Sequence, residues 1–221
     1  MALLVRMLTS LFPGIREFEG TGVPVWKDES RPWSIITENG ELASQIAKVS
    51  DSTDGIFIHE DAIIGDFVRI EGPSFIGPRA EIRHGAFIRG GSWICEGAVV
   101  GHASEIKGSI LLPWSKAPHF NYVGDSIIGI RVNLGAGVIT ANMRNDRKSI
   151  FLRSGESRID SGTRKLGAIV GDNVSIGCNS VLNPGTIVFP GLSFPPLTAI
   201  SGEVKTSNGV DSDLDDGKDG S

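Results

Sequence analysis

A large aliphatic residue returns every six positions through the middle of this chain. Amphipathic helices repeat every 3.6 residues and half-buried strands every two, so neither explains this period. Short flat strands joined by tight turns explain a period of six, because each corner then carries one large and one small inward side chain. The large series is Ile58, Ile64, Ile70, Ile76, Ile82, Ile88, Ile94, Val100 and Ile106. The mostly small series, four residues later, is Ala62, Val68, Ser74, Ala80, Ala86, Ser92, Ala98, Ser104 and Ile110.

The repeat predicts an all-β fold, a parallel β-helix in which three hexads make one triangular coil. Each residue then lies over the one eighteen positions earlier, on parallel strands about 4.8 Å apart. Such coils bury their core only when several of them stack. The aliphatic series resumes at Ile128 and Leu134, and again from Val170 to Ile200. The spacing itself leaves the handedness open.

The chain divides into an N-terminal arm (1–50), a β-helix domain (51–204) and a tail (205–221) that is acidic and expected to be disordered. Residues Trp33 to Val49 have the spacing of a short amphipathic helix that could cap the open end of the coil. Two stretches interrupt the repeat, and interruptions of a solenoid usually lie on one functional face. Gly108 to Val123 is predicted to be loop-like, and Asn142 to Gly167 to be an inserted hairpin turning at Ser154-Gly155.

Composition excludes several functional classes. With 21 Lys and Arg against 26 Asp and Glu, the net charge of −5 argues against a nucleic-acid surface. Two isolated cysteines, Cys95 and Cys178, suggest neither a disulfide framework nor a zinc site. No apolar run is long enough for a membrane span, so we expect a cytoplasmic protein without a membrane or nucleic-acid partner.

The segment KAPHFNYVGDSIIGIRVNLGAGVITAN, from Lys116 to Asn142, carries a more specific signal. It resembles the active-site region of glucosamine-1-phosphate acetyltransferases, the C-terminal half of bifunctional bacterial enzymes. The later SGTRKLGAIVGDNV and LNPGTIV are more similar to archaeal-type sugar-1-phosphate nucleotidylyltransferases with an appended acetyltransferase β-helix. The resemblance extends from about Ile56 to Val188. It implies a left-handed coil and a homotrimer with sites between neighbouring chains.

The resemblance also assigns roles to individual positions. It implies that His119 is the catalytic base and that the backbone of Ala136 supports the thioester oxygen of acetyl-CoA, the co-substrate. Cys178 would contact the cofactor or pack beside it. The residues implied to bind the amino-sugar 1-phosphate are Arg89, Lys107, Tyr122, Asn133, Asn142 and Lys148. Independently of the resemblance, Lys107 follows Arg89 by eighteen residues, so these two cations should stack as a site for a dianion.

The expected function is therefore N-acetylation of glucosamine or galactosamine 1-phosphate in nucleotide-sugar biosynthesis, without the nucleotidylyl transfer of the longer enzymes. Met143 and the prolines around Pro195-Pro196 depart from the resembling enzymes near coenzyme A. A non-catalytic β-helix that binds a sugar phosphate or regulates a partner is therefore an alternative. A second alternative is a zinc site like that of the β-helix carbonic anhydrases. His84 and His102 are one coil apart, so their side chains could stack and, with a third histidine across a trimer interface, bind Zn²⁺, although His59 is out of register. The sequence favours neither amino sugar and does not identify the acyl group.

Overall fold

The chain folds into a triangular β-helix with three parallel sheets. The computed structural model describes residues 7–37, 41–154 and 157–206. Sheet A contains β1 (Ile56–Ile58), β4 (Ser74–Ile76), β7 (Ser92–Ile94), β10 (Ile110–Leu111), β13 (Ile127–Ile128), β18 (Ala168–Val170), β21 (Thr186–Val188) and β24 (Glu203–Val204). The coil is left-handed, as the resemblance implied.

The other two sheets follow the same order along the coil. Sheet B contains β2 (Ile63–Ile64), β5 (Glu81–Ile82), β8 (Val99–His102), β11 (Lys116–His119), β14 (Asn133–Leu134), β19 (Ser175–Ile176) and β22 (Ser193–Phe194). Sheet C contains β3 (Arg69–Ile70), β6 (Phe87–Arg89), β9 (Glu105–Lys107), β12 (Tyr122–Gly124), β15 (Ile139–Thr140), β20 (Val181–Leu182) and β23 (Ala199–Ile200).

The predicted aliphatic columns form the core of the prism. Ile76, Ile94, Ile82 and Ile88 are fully buried, and the small positions Ala80 and Ala86 pack beside them. Each strand pairs in parallel with the strand one coil away, for example Ile76 with Ile94. The sequence therefore predicted both the architecture and the register of the regular coils.

The predicted loop at Gly108 to Val123 is wrong, because this stretch is a regular coil that is one residue shorter. Ile110 pairs with Trp93, 17 positions earlier, whereas Trp93 pairs with Phe75 at the usual 18. The missing residue shifts the pattern, so Ser109 takes the small inward position predicted for Ile110. Ile110 instead faces outward on sheet A, where the N-terminal segment buries it.

The second interruption is an inserted hairpin, as predicted. β16 (Phe151–Ser154) and β17 (Ser157–Asp160) pair antiparallel, with Ser154 opposite Ser157. Gly155 of the predicted turn lies outside the described residues. Leu152 and Leu166, the latter on the return to the coil, are buried against the outer face of sheet A.

The N-terminal segment covers the outer face of sheet A. It contains α1 (Met7–Leu11), 3-10 turns at Ile15–Phe18 and Pro32–Ile36, and α2 (Leu42–Val49), so the α-helix is shorter than predicted. Its apolar residues pack on an outward ladder that includes stacked Phe75 and Trp93, 4.2 Å apart between ring centroids.

Helix α2 lies against β1 and β4 of sheet A. The end of the prism stays open, since Ile58 and Ile64 of the inward columns remain 44% and 39% exposed. The predicted capping role of the helix is therefore wrong, because its buried Leu42 and Ile46 pack with the residues of the aromatic outer face instead. The predicted tail lies outside the described residues from position 207. Within the described ranges, no helix is long and apolar enough to cross a membrane.

Candidate functional site

One corner of the prism, between sheets B and C, carries a column of chemically active side chains. His119, at the end of β11, pairs in register with His102 one coil earlier. The His102 and His84 rings are stacked 5.4 Å apart, as the sequence predicted. His102 Nδ1 lies 2.9 Å from the carbonyl oxygen of His84, so this nitrogen must be the protonated one.

The backbone of His119 is fixed while its side chain faces solvent. Its N–H donates to Asn121 Oδ1 (3.0 Å), and its carbonyl oxygen accepts from the N–H of Gly137 (3.0 Å). Asn121 is buried inside the prism and donates in turn to the carbonyl oxygen of Gly135 (2.7 Å). The imidazole has no hydrogen-bonding partner among the described residues, which leaves both ring nitrogens available to a ligand.

The next coils continue the same corner with Ala136 and Cys178. The N–H groups of the flanking Gly135 and Gly137 bond to carbonyl oxygens, whereas the N–H of Ala136 donates no hydrogen bond within the described ranges. Cys178 is exposed, one coil further along. The corner therefore presents an imidazole, a free backbone donor and a thiol in successive coils.

A polar cluster lies on sheet C and the adjoining corner with sheet A. Arg89 and Lys107 occupy the same register position in consecutive coils, as predicted. Each of them pairs with a carboxylate: Arg89 with Glu105 (2.9 Å) and Lys107 with Asp125 (2.8 Å). The hydrogen bond that Arg89 donates to Glu105 raises the pKa of the Arg89 guanidinium.

Tyr122 and Asn142 complete this cluster. Asn142 Nδ2 donates to Tyr122 Oη (3.2 Å) and to Asp125 Oδ2. Burial raises the pKa of the Tyr122 phenol, and the charges of Asp125 and Glu105 raise it further. The phenol is therefore protonated at neutral pH and can donate a hydrogen bond.

Two predicted binding residues stand apart from the cluster. Asn133 is exposed on β14 of sheet B, in register with Lys116 and Ser175. Lys148 is exposed in the insertion, where its N–H donates to Asp146 Oδ1 (3.2 Å). Neither side chain bonds to the cluster in the described part of the chain.

The sequence interpretation missed the two carboxylates of the cluster. Glu105 stands two residues before Lys107 on one strand, so its side chain projects on the same side, which is a signal that sequence alone contains. Asp125 belongs to the YVGD segment, but its pairing with Lys107 depends on the shortened coil. No group of three or more His, Cys, Asp or Glu side chains in the described residues could hold a metal ion. Cys95 is fully buried, and burial raises the pKa of its thiol.

Comparisons with known proteins point to one family. Residues 70–193 match the family model described as "GMPPB C-terminal domain". "Bifunctional protein GlmU" of Methanococcus vannielii is 39% identical over 177 residues, which are 74% of this chain and 41% of that protein. "Bifunctional sugar-1-phosphate nucleotidylyltransferase/acetyltransferase" of Sulfurisphaera tokodaii is 37% identical over 187 residues, 76% of this chain and 43% of that protein.

The chain thus spans about two fifths of the length of these curated relatives. Among solved structures, a hexapeptide transferase family protein from Anaplasma phagocytophilum is 20% identical with a TM-score of 0.35, covering 67% of this chain and 74% of that one. The acetyltransferase domain of PglB from Neisseria gonorrhoeae is 17% identical with a TM-score of 0.31, covering 65% and 58%.

Proposed function

The chain belongs to the family of GMPPB C-terminal domains, and on that premise we propose that it is an acetyl-CoA-dependent N-acetyltransferase acting on an amino-sugar 1-phosphate. The printed names of the relatives, which join a sugar-1-phosphate nucleotidylyltransferase to an acetyltransferase, support this class of substrate. Glucosamine and galactosamine 1-phosphate are the candidate acceptors.

The observation that carries the proposal is the solvent-facing imidazole of His119, which shares its corner with the unpaired N–H of Ala136, while Arg89, Lys107 and their carboxylate partners lie on the adjoining sheet C. A general base must reach the proton that it removes, and an imidazole without a partner among the described residues is free to do so. Arg89 and Lys107 would bind the phosphate, while Tyr122, Asn142, Asn133 and Lys148 would contact the sugar phosphate. Arginine and lysine are the side chains best suited to phosphate oxygens.

In the proposed reaction, the 2-amino nitrogen of the sugar attacks the acetyl carbonyl carbon and forms the new C–N bond. His119 takes the proton from that nitrogen, the C–S bond breaks, and the departing thiolate of coenzyme A receives a proton. The free N–H of Ala136 would donate to the carbonyl oxygen as negative charge develops there. The exposed Cys178, one coil beyond, would contact the co-substrate.

The active form is proposed to be a homotrimer. The N-terminal segment already covers sheet A, whereas large apolar side chains remain exposed on sheets B and C and their shared corner: Ile63, Phe67, Phe120 and Ile139. An apolar patch beside the candidate site is typical of a surface that another chain covers. A neighbouring chain at this corner would complete the site around His119.

Thiol release from acetyl-CoA tests the proposed function, measured with glucosamine 1-phosphate and with galactosamine 1-phosphate. We expect His119→Ala to lower turnover by about 100-fold or more, because general-base catalysis contributes roughly that factor. The matched control is His102→Ala, which removes an exposed imidazole from the same corner one coil earlier and should leave turnover within a few-fold. Equal losses in both variants would contradict the assignment of His119. Binding of a sugar phosphate without turnover would favour the non-catalytic alternative.

A further inference from the structure

Asp125 connects three parts of the molecule that meet at the candidate site. It follows β12 and is only 8% exposed. Its N–H donates to the carbonyl oxygen of Lys107 (2.8 Å), and its own carbonyl oxygen accepts from Gly167 (2.8 Å), where the insertion returns to the coil. The residue therefore ties β9 to the base of the insertion.

Its carboxylate organises two of the predicted substrate-binding side chains. Lys107 Nζ donates to both carboxylate oxygens, at 2.8 Å and 3.1 Å, and Asn142 Nδ2 donates to Oδ2. A carboxylate only accepts hydrogen bonds, so Asn142 has to turn its NH₂ group toward Asp125. This removes the usual ambiguity between the nitrogen and oxygen of an amide side chain.

The hydrogen bonds that Asn142 already donates determine which atom of its amide remains available to a ligand. One hydrogen of Nδ2 goes to Asp125 and the other to Tyr122 Oη. The remaining polar atom, Oδ1, accepts no hydrogen bond from a described residue. Because the phenol oxygen of Tyr122 is an acceptor here, its own O–H stays free to donate.

We propose that Asp125 is a positioning residue that fixes the hydrogen-bonding polarity of the sugar-phosphate site. Asn142 presents a carbonyl oxygen, which accepts from an amine or hydroxyl of the sugar. Lys107 and Tyr122 present donors, which suit phosphate oxygens. This inference rests on the proposed function, since it concerns how the same site binds an amino-sugar phosphate.

Two glycines leave the space that this network needs. A Cβ at Gly124 would lie 2.7 Å from Tyr122 Oη and 2.8 Å from Asn142 Nδ2. A Cβ at Gly108 would lie 2.8 Å from Asp125 Oδ1, and Gly108 has a φ of +56°. The network is thus packed against backbone on both sides, which limits how far its members can move.

The test is Asp125→Asn, which keeps the size of the side chain but lets it donate to Asn142 and turn that amide around. We expect the KM for the sugar phosphate to rise about tenfold or more, with the KM for acetyl-CoA unchanged, since hydrogen bonds to charged groups are among the stronger ones. Asp172→Asn is the matched control, a buried carboxylate at the corner between sheets A and B that should leave both KM values unchanged. In Asn142→Ala, the further substitution Asp125→Asn should raise this KM by less than it does in the wild type, because only the contact with Lys107 is left to lose. A KM for the sugar phosphate that Asp125→Asn leaves unchanged would overturn the proposal.

A second measurement is made on the wild-type chain and does not depend on turnover. Side-chain ¹⁵N spectra, assigned with Asn142→Asp, should show Asn142 Nδ2 protons that exchange at least tenfold more slowly than those of exposed Asn133, because both are hydrogen-bonded. Equal exchange at the two positions would overturn the positioning role. Slow exchange at Asn142 would support the hydrogen-bond network even if the chain neither bound nor acetylated the sugar phosphates. That combination of results would refute the proposed function alone.

Discussion

Asp172 is a buried carboxylate that fastens the N-terminal segment to the coil. Its Oδ2 accepts from the N–H of Gly14 (3.0 Å), and its Oδ1 accepts from the N–H of Ile130 (2.8 Å). Burial nevertheless raises its pKa above the ordinary value for an aspartate, because desolvation outweighs these two donors. The residue therefore makes the stability of this attachment depend on pH.

We predict that the stability difference between wild type and Asp172→Asn falls as pH rises. A carboxyl group whose folded pKa is raised binds its proton more tightly in the folded state. Its favourable contribution is complete below the unfolded pKa and is lost as pH rises through the folded pKa. Denaturant unfolding of both proteins between about pH 3.5 and pH 7 measures this difference. A difference that grows with pH would show that the pKa is lowered instead.

The sequence predicted which residues lie over one another wherever a coil has the same length as the coil before it. The stacking of Lys107 on Arg89 and of His102 on His84 followed from a spacing of eighteen. The roles of Glu105 and Asp125 did not follow, because a pair between coils depends on side-chain direction and on the local length of the coil. The substrate-binding roles of Asn133 and Lys148 remain predictions, since one chain brings neither of them to the cluster.

The outer face of sheet A is an aromatic ladder rather than a solvated surface. Phe57, Phe75 and Trp93 stack on consecutive coils, and Trp93 Nε1 donates to the carbonyl oxygen of Gly22 (2.8 Å). The N-terminal segment packs on this ladder. One face of the prism is thus an internal interface of the chain.

We predict that Trp93→Ala lowers the free energy of unfolding by about 3–5 kcal/mol, the usual cost of truncating a buried aromatic residue to alanine. Trp93 is 4% exposed, and its replacement removes both the stacking on Phe75 and the hydrogen bond to the N-terminal segment. Trp114→Ala is the control, because Trp114 is 39% exposed and should cost at most about 1 kcal/mol. Denaturant titration compares them, and equal costs would argue against the covered face.

The elements show why a fixed period predicts most of this fold but not all of it. Two successive pairings, Trp93 with Ile110 and Ile110 with Ile127, each span 17 residues instead of 18. The missing residues fall in turns, where the backbone absorbs the change while the inward columns continue through Leu111 and Val123. A strict period of six therefore predicts a loop where the structure has a shorter coil. The sequence also did not predict where α2 packs, because an apolar helix side could cover either the end or a face of the prism.

The whole molecule has one covered face and two sheets with exposed apolar side chains beside the candidate site. We predict a trimer, with a mass three times 23.5 kDa, about 70 kDa, in sedimentation equilibrium. Phe120→Asp, at a 61% exposed position on the corner, should shift the mass toward that of a monomer. Val25→Asp is the control, at a 68% exposed position on the N-terminal segment, and should leave the trimer intact. A monomeric wild-type protein at micromolar concentration would contradict a site shared between chains.

We propose that this β-helix forms an amide bond on an amino-sugar 1-phosphate with His119 as the base. The most direct measurement is proton NMR of the product formed from acetyl-CoA and each of the two amino-sugar phosphates, with wild type and His119→Ala. We predict an N-acetyl signal on the 2-amino nitrogen, free coenzyme A in equal amount, and neither with the variant beyond a residual level. Free coenzyme A without an N-acetylated sugar, or the same product at the same rate from His119→Ala, would contradict this function of His119.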